Sequence, residues 1–426
     1  MVVGLAAALG CGAKTGLPSP PPLPVDAGPD GGAPVDPDAG PPPIPCVPVP
    51  IDGGPVRATL SIPASLQVVD VMFLLDSTGS MLDEIDAVRR GLRERVVPGV
   101  RASIPDARFG VALFGEFPFA PHAPRSVEAY ALRSQITEDL PRVEAALDNT
   151  PVWANDDDPE AAIEGLYQVA TGAGYGTPGA RGAIPASPGC PRGGSGGACF
   201  RPEALPVVML ITDAPMHNGP PGIPPVAPYR FHLRDPDAAP PSTYEQAVDA
   251  ARAAGILVLG LGASDRNRPS PRRHLSRLLR DTGSVDVRDE PLYFDIGGGG
   301  ARSGEDIIRA VERVAAGVPL DVDARVEDLP GDEVDATPLL RGVAARSASP
   351  ASAVDRIEGD RFVGVVPGTV LTFEVTVDAS GLAPSVERRV FPARIVFRAN
   401  DRTSLGTQRI DLVVPGGEGM GCGDDV

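Results

Sequence analysis

From residue 66 onwards the chain alternates two hydrophobic patterns. Short, almost unbroken apolar runs occur at Val68–Leu75, Phe109–Phe114, Val207–Ile211 and Ile256–Leu261. Such runs fit strands of a parallel sheet covered on both faces. Between them, apolar positions recur at helical spacing, as with Met81, Leu82, Ile85, Val88, Leu92 and Val96 over 81–96. Further helices are expected over 138–148, 159–170, 244–254, 271–281 and 304–316, with weaker strands at 130–136 and 292–296. Strands alternating with helices predict an α/β domain over 66–318: a doubly wound, mostly parallel sheet with helices on both faces.

After Pro319 the period changes to two. Leu320–Val326, Arg361–Val366, Val370–Val377 and Ala393–Arg398 alternate apolar and polar residues, which predicts an all-β antiparallel sandwich over 319–416, followed by a Gly-rich tail at 417–426. Two long Gly- or Pro-rich segments, 172–204 and 214–241, interrupt the α/β pattern and are expected to be surface loops. The stretch before it reads differently. Residues 17–50 hold 14 prolines, too many for a packed element, so 12–65 is expected to be a disordered, extended linker.

At the start, Val2–Leu9 is apolar but far too short to span a bilayer, and Ala8-Leu9-Gly10-Cys11 follows. This is similar to a bacterial lipoprotein signal over 1–11, with Cys11 as the lipidated residue, although no basic residue precedes the run. It implies an exported protein of the bacterial envelope, lipid-anchored to the outer membrane or cell surface, with no other membrane contact. Four cysteines then remain, and an even number in an exported chain suggests disulfides in one of three pairings. Cys190 and Cys199 share one loop; Cys46 and Cys422 flank the folded region.

A formal net charge of −18 excludes a nucleic-acid partner, because no basic surface exists to displace phosphate counterions. The cysteine and histidine spacing fits no zinc pattern. There is no phosphate-binding loop and no strand–turn–helix nucleophile elbow; Ser195 sits in a glycine-rich loop. An enzyme acting on a small-molecule substrate is therefore not expected. His217 reads as a structural or rim residue, and His122, His232 and His274 as isolated.

Two apolar strands end on carboxylates: Leu75 runs into Asp76, and Thr212 into Asp213. In an open parallel sheet both reach the ligand-binding rim at the carboxyl ends of the strands. Ser77-Thr78-Gly79-Ser80 adds hydroxyls, the oxygen donors that hard divalent cations take. The competing reading is that Asp76 or Ser77 caps the following helix.

Asp76-Ser77-Thr78-Gly79-Ser80 resembles the Asp-x-Thr/Ser-x-Ser signature of the metal-ion-dependent adhesion site in von Willebrand factor A domains. Asn155-Asp156-Asp157-Asp158-Pro159-Glu160 and Thr212-Asp213-Ala214-Pro215-Met216-His217 resemble the companion motifs of integrin beta subunits. The resemblance spans 66–318. It implies a magnesium ion (or calcium or manganese) held by Asp76, Thr78, Ser80, Glu160 and Asp213, and a protein partner whose Asp or Glu carboxylate completes the coordination. It also implies a possible adjacent ion at Asp83 and Glu84, with Asp157 in a further site or orienting its loop. The integrin specificity loop is not recognisable, so integrin ligands are not implied. The alternative is a structural scaffold or assembly component of an envelope complex, in which the ion mainly steadies the fold.

Overall fold

In the computed structural model the described residues are 44–50, 54–154, 156–234, 238–263, 270–297, 318–416 and 422, without the side chains of Asp83, Glu84, Val88, Ser103 and Arg192. Cys11, most of the Pro-rich linker, Asn155 and the helix expected at 304–316 lie outside these residues, as do the Asp83 and Glu84 side chains. The described residues from Ile44 onwards form one unit.

The linker expectation fails at its end. β1 (Cys46–Pro48) and β2 (Val56–Pro63) are strands, although both lie in the segment expected to be disordered. Val56, Ala58, Leu60 and Ile62 alternate with polar residues, so β2 has one face to bury once a partner sheet exists.

The α/β region follows. Its strands are β3 (Val68–Asp76), β4 (Asp106–Phe114), β5 (Tyr130–Thr137), β6 (Leu205–Thr212), β7 (Leu257–Gly262) and β8 (Tyr293–Asp295). They form one sheet of order β5-β4-β3-β6-β7-β8. All neighbours are parallel except β5, which runs antiparallel to β4 at the edge. Counted within the region the order is 3-2-1-4-5-6, the doubly wound arrangement that the apolar pattern predicts.

Successive side chains on a strand point to opposite faces, and the core divides accordingly. On β3, Val69, Val71, Phe73 and Leu75 enter one apolar cluster, while Met72 and Leu74 enter the other. The first cluster takes Leu92, Val96 and Val100 from the helical segment 82–103 and Val143 and Leu147 from α3 (Leu140–Asp148). That segment comprises α1 (Leu82–Gly91), a π-helical turn at Leu92–Val96 and α2 (Val97–Ser103). The π turn comes immediately before Pro98, whose ring lacks an N–H and would clash with a regular preceding turn. The second cluster is covered by α4 (Ala162–Thr171), α5 (Tyr244–Ala253) and α6 (Arg272–Thr282).

Within β3 the apolar run hides one charge. Asp70 is fully buried and pairs with Arg201, which reaches it at 2.8 Å. The segment 172–204 is not a loose surface loop. Tyr175 bridges Ile184, Ser195 bridges Phe200, and Ala198 and Phe200 are buried.

The β region has seven further strands: β9 (Leu320–Asp328), β10 (Leu340–Ser349), β11 (Arg356–Glu358), β12 (Arg361–Val365), β13 (Val370–Val377), β14 (Arg389–Ala399) and β15 (Thr403–Val414). With β1 and β2 they form a six-stranded sheet, β1-β15-β14-β9-β12-β11, and a three-stranded sheet, β10-β13-β2. Pairing is antiparallel except for β1 with β15. Phe373 of β13 meets Phe362 of β12 and Phe397 of β14 at 5.1 and 5.5 Å between ring centres, so the two sheets touch through aromatic side chains. The α/β region is thus inserted between β2 and β9, and its first apolar cluster continues into the β region. Arg402 donates to the Ala254 carbonyl and the Ser404 N–H to that of Glu203 across the junction. The disulfides are Cys46–Cys422 and Cys190–Cys199. Among the described residues no helix is long and apolar enough to cross a membrane.

Candidate metal centre

β3 and β6 lie side by side, and the chain leaves them toward opposite edges of the sheet, so the crevice at their carboxyl ends is the switch point. Asp76 ends β3 and Asp213 directly follows β6, which puts both on that rim.

Backbone bonds stitch four loops together there. The Ser77 N–H donates to Phe114 at 2.9 Å and the Trp153 N–H to Ser77 at 2.7 Å. The Glu160 N–H donates to Pro215 at 3.0 Å, and the His217 N–H to Glu160 at 2.9 Å. The Ala161 N–H donates to the Gly115 carbonyl at 2.9 Å. Gly115 has no room for a side chain: a Cβ there would stand 2.6 Å from the Trp153 ring.

The side chains form a chain of oxygens. Asp76 Oδ1 accepts from the Thr78 N–H at 3.0 Å and from the Thr78 hydroxyl at 2.7 Å. The Thr78 and Ser80 hydroxyls are 2.9 Å apart, and Ser80 donates to Asp213 Oδ1 at 2.8 Å. Thr212 donates to the second Asp76 oxygen at 2.6 Å. Asp76, Thr78 and Glu160 are fully buried, and Asp213 nearly so. Four of the five residues expected from the sequence are linked by these bonds, and Glu160 joins them through a hydrogen bond between its carboxyl and the Thr78 side chain.

Burial pushes the Asp76 carboxyl up, against hydrogen bonds from Thr212 and Thr78. Glu160 is driven well above the carboxylate range, first by burial and then by repulsion from Asp76 and Glu116. Two buried carboxyls raised in this way make a site where added positive charge is favourable. The donors are all oxygens, two of them neutral hydroxyls, a set that fits a hard divalent cation.

Two expectations change. Asp157 does not join the oxygen chain; its Oδ2 lies 2.7 Å from His122 Nδ1 and 3.0 Å from His217 Nε2. His122 is correspondingly not isolated, and these three residues form a compact cluster of potential metal ligands. The hydrogen bonds and charges of the two histidines hold the Asp157 carboxyl below its usual range although burial pushes it up. Glu116, fully buried, was not anticipated. It accepts from the Tyr229 hydroxyl and the Phe117 N–H, yet is pushed well above its ordinary value by burial, with Asp157 and Asp76 adding repulsion. A signal for it exists: Glu116 comes two residues after the apolar strand that ends at Phe114, close to the strand-end positions of Asp76 and Asp213. His274 is spent structurally, accepting from the Met216 N–H and facing the Ile223 carbonyl.

No protein-family model matches the sequence, and no curated protein matches it. Among solved structures the chain is similar to a von Willebrand factor type A protein from Catenulispora acidiphila, with 12% identity and a TM-score of 0.38 over 88% of this chain and 72% of that one. It is also similar to the pilus adhesin SpaC from Lactobacillus rhamnosus GG in its open conformation, with 13% identity and a TM-score of 0.36 over 86% of this chain and 45% of that one. The chain thus spans less than half of the adhesin. Strand order and pairing, rather than these similarities, define the fold.

Proposed function

We propose that the protein captures a protein partner through a divalent cation, magnesium in the first instance, held by Asp76, Thr78, Ser80, Glu160 and Asp213. The observation that carries this reading is the unbroken chain of oxygens from Asp76 through Thr78 and Ser80 to Asp213 at the switch point of the sheet. A cation there would supply an electrophilic position that a partner's Asp or Glu side chain can occupy. Thr78 and Ser80 contribute no charge, so the ion keeps its attraction for an outside carboxylate. The protein acts by binding, not catalysis. In this reading the region belongs to the von Willebrand factor A type, and the two antiparallel sheets form a β-sandwich that carries it.

The two disulfides support export to an oxidising compartment, and Cys11 is the proposed lipid anchor at the outer membrane or cell surface. The experiment is a pull-down from envelope extract by the full chain, in magnesium and in chelator, with Asp76→Ala alongside. Carboxylate capture requires a partner retained in magnesium and lost in both other conditions. A partner retained equally in chelator overturns it.

A further inference from the structure

We propose that His122, Asp157, His217 and Glu116 form a second metal site, one for a divalent transition ion with mixed nitrogen and oxygen ligands, of which zinc is the type. The site does not depend on the neighbouring oxygen-donor cluster being occupied.

Three loops at the carboxyl ends of the strands bring these groups together. Glu116 and His122 follow β4, Asp157 precedes α4, and His217 follows β6. One potential ligand atom each from His122, Asp157 and His217 lies within 4.8 Å of the others. The measured neighbour distances are 2.7, 3.0 and 3.3 Å, the last between His217 Nε2 and Glu116 Oε2. Ligands about 2.0 Å from a tetrahedral zinc stand about 3.3 Å from one another, close to these three contacts.

The decisive group is His217. Its Nδ1 lies 2.8 Å from the Ala227 carbonyl, which can only accept, so Nδ1 carries a hydrogen. In a neutral ring Nε2 then holds a lone pair, and that lone pair faces two carboxylate oxygens, Asp157 Oδ2 and Glu116 Oε2. Such an arrangement is repulsive unless a positive centre stands between them: a proton, on the ring or on Glu116, or a metal ion. The N–H to carbonyl brace on the far nitrogen is how metal-bound histidines are oriented.

Two further observations favour the metal. Glu116 Oε2 is buried and accepts no hydrogen bond among the described residues, although it points toward His217. A second imidazole, His122, converges on the same Asp157 oxygen, so two nitrogen donors face one carboxylate oxygen. Two imidazoles with carboxylates select borderline transition ions over magnesium. The surroundings hold the set rigid. Tyr229 stacks on His217 with ring centres 4.2 Å apart, and its hydroxyl donates to Glu116. Asp157 keeps 28% of its side chain exposed and His122 12%, which leaves an access route. An ion there would fix the segment that leads from Asp157 to Glu160.

The test uses the full chain, freed of metal and held in millimolar magnesium. Zinc is titrated by calorimetry, and cobalt by visible absorption, which reports nitrogen coordination. The site requires one equivalent of zinc. Its affinity should fall at least about tenfold in His122→Gln and in Asp157→Asn, and should persist in Thr78→Ala. His217 is buried and its variant can fail to fold, so the more accessible His122 and Asp157 carry the test, with circular dichroism as the folding control. Absence of stoichiometric zinc overturns the site, as does zinc binding unchanged in both variants. So does nitrogen NMR of the zinc-treated protein that finds both His217 nitrogens protonated.

Discussion

Asp70 and the carboxylates of the rim pose the same physical problem at opposite ends of β3, and they meet it differently. Asp70 is fully buried, and burial raises its carboxyl, but Arg201 answers it with both a backbone N–H at 2.6 Å and its guanidinium at 2.8 Å. Asp76 and Glu160 instead have neighbours of their own sign, which is what the proposed cation would offset. Arg201→Ala leaves a buried charge without its counterion, so it should cost about 3–5 kcal/mol at neutral pH. The sign of its pH dependence follows. Without Arg201 the folded-state value for Asp70 moves further above the unfolded one. The unfavourable ionised form is then relieved as pH falls and Asp70 takes a proton. The destabilisation by Arg201→Ala should therefore be smaller at acid pH than at neutrality, measured by urea melts of both proteins. A cost that grows on acidification would refute this account of the pair.

At this scale the sequence revealed Asp76 and Asp213, because each ends an apolar strand and strand ends converge on one rim. Glu116 follows the same rule one turn later and could have been read. The grouping of His122, Asp157 and His217 could not. Their positions are 35 and 60 residues apart, and only the loop geometry brings them within hydrogen-bond distance.

Among the elements, those stabilised by their own periodicity were legible and those stabilised by a distant partner were not. β6 and β7 are buried along their whole length and β3 in all but its first residue, and their apolar runs say so. β2 carries a clean two-residue alternation, but it sits after a proline-rich stretch and pairs with β13, more than 300 residues along the chain. The segment 172–204 is similar: without its bridges and buried aromatics it reads as a loop. Its disulfide gives an element-scale expectation. Cys190 and Cys199 are nine residues apart, and opening so short a loop should cost about 2.5 kcal/mol. That loop precedes the start of β6, whereas the proposed metal centre lies beyond its end. Eight strand residues at about 3.3 Å each place them roughly 25 Å apart. Cys190→Ser with Cys199→Ser should therefore lower the melting temperature and leave magnesium affinity unchanged. An affinity loss would mean that the loop supports the rim.

For the whole molecule the insertion of the α/β region between β2 and β9 decides how the protein unfolds. The inserted region leaves β2 of the three-stranded sheet and returns to β9 of the six-stranded one, and one apolar cluster runs from Phe73 and Met209 to Phe373 and Phe397. A shared core implies shared cooperativity, because exposing one part removes the packing of the other. Trp153 makes this measurable. It is the sole tryptophan, it is buried, and it sits in the α/β region, its N–H bonded to the Ser77 carbonyl. Phe373, at the centre of the β sheets and touching Phe362 and Phe397, is remote from it in fold and sequence. Phe373→Ala should cost about 3–5 kcal/mol. If the two regions unfold together, the Trp153 fluorescence transition and the far-ultraviolet circular dichroism transition shift by the same amount. A Trp153 midpoint that stays in place while the dichroism midpoint falls would show two independent units. The α/β region could then respond to its ions without involving the sheets that hold it.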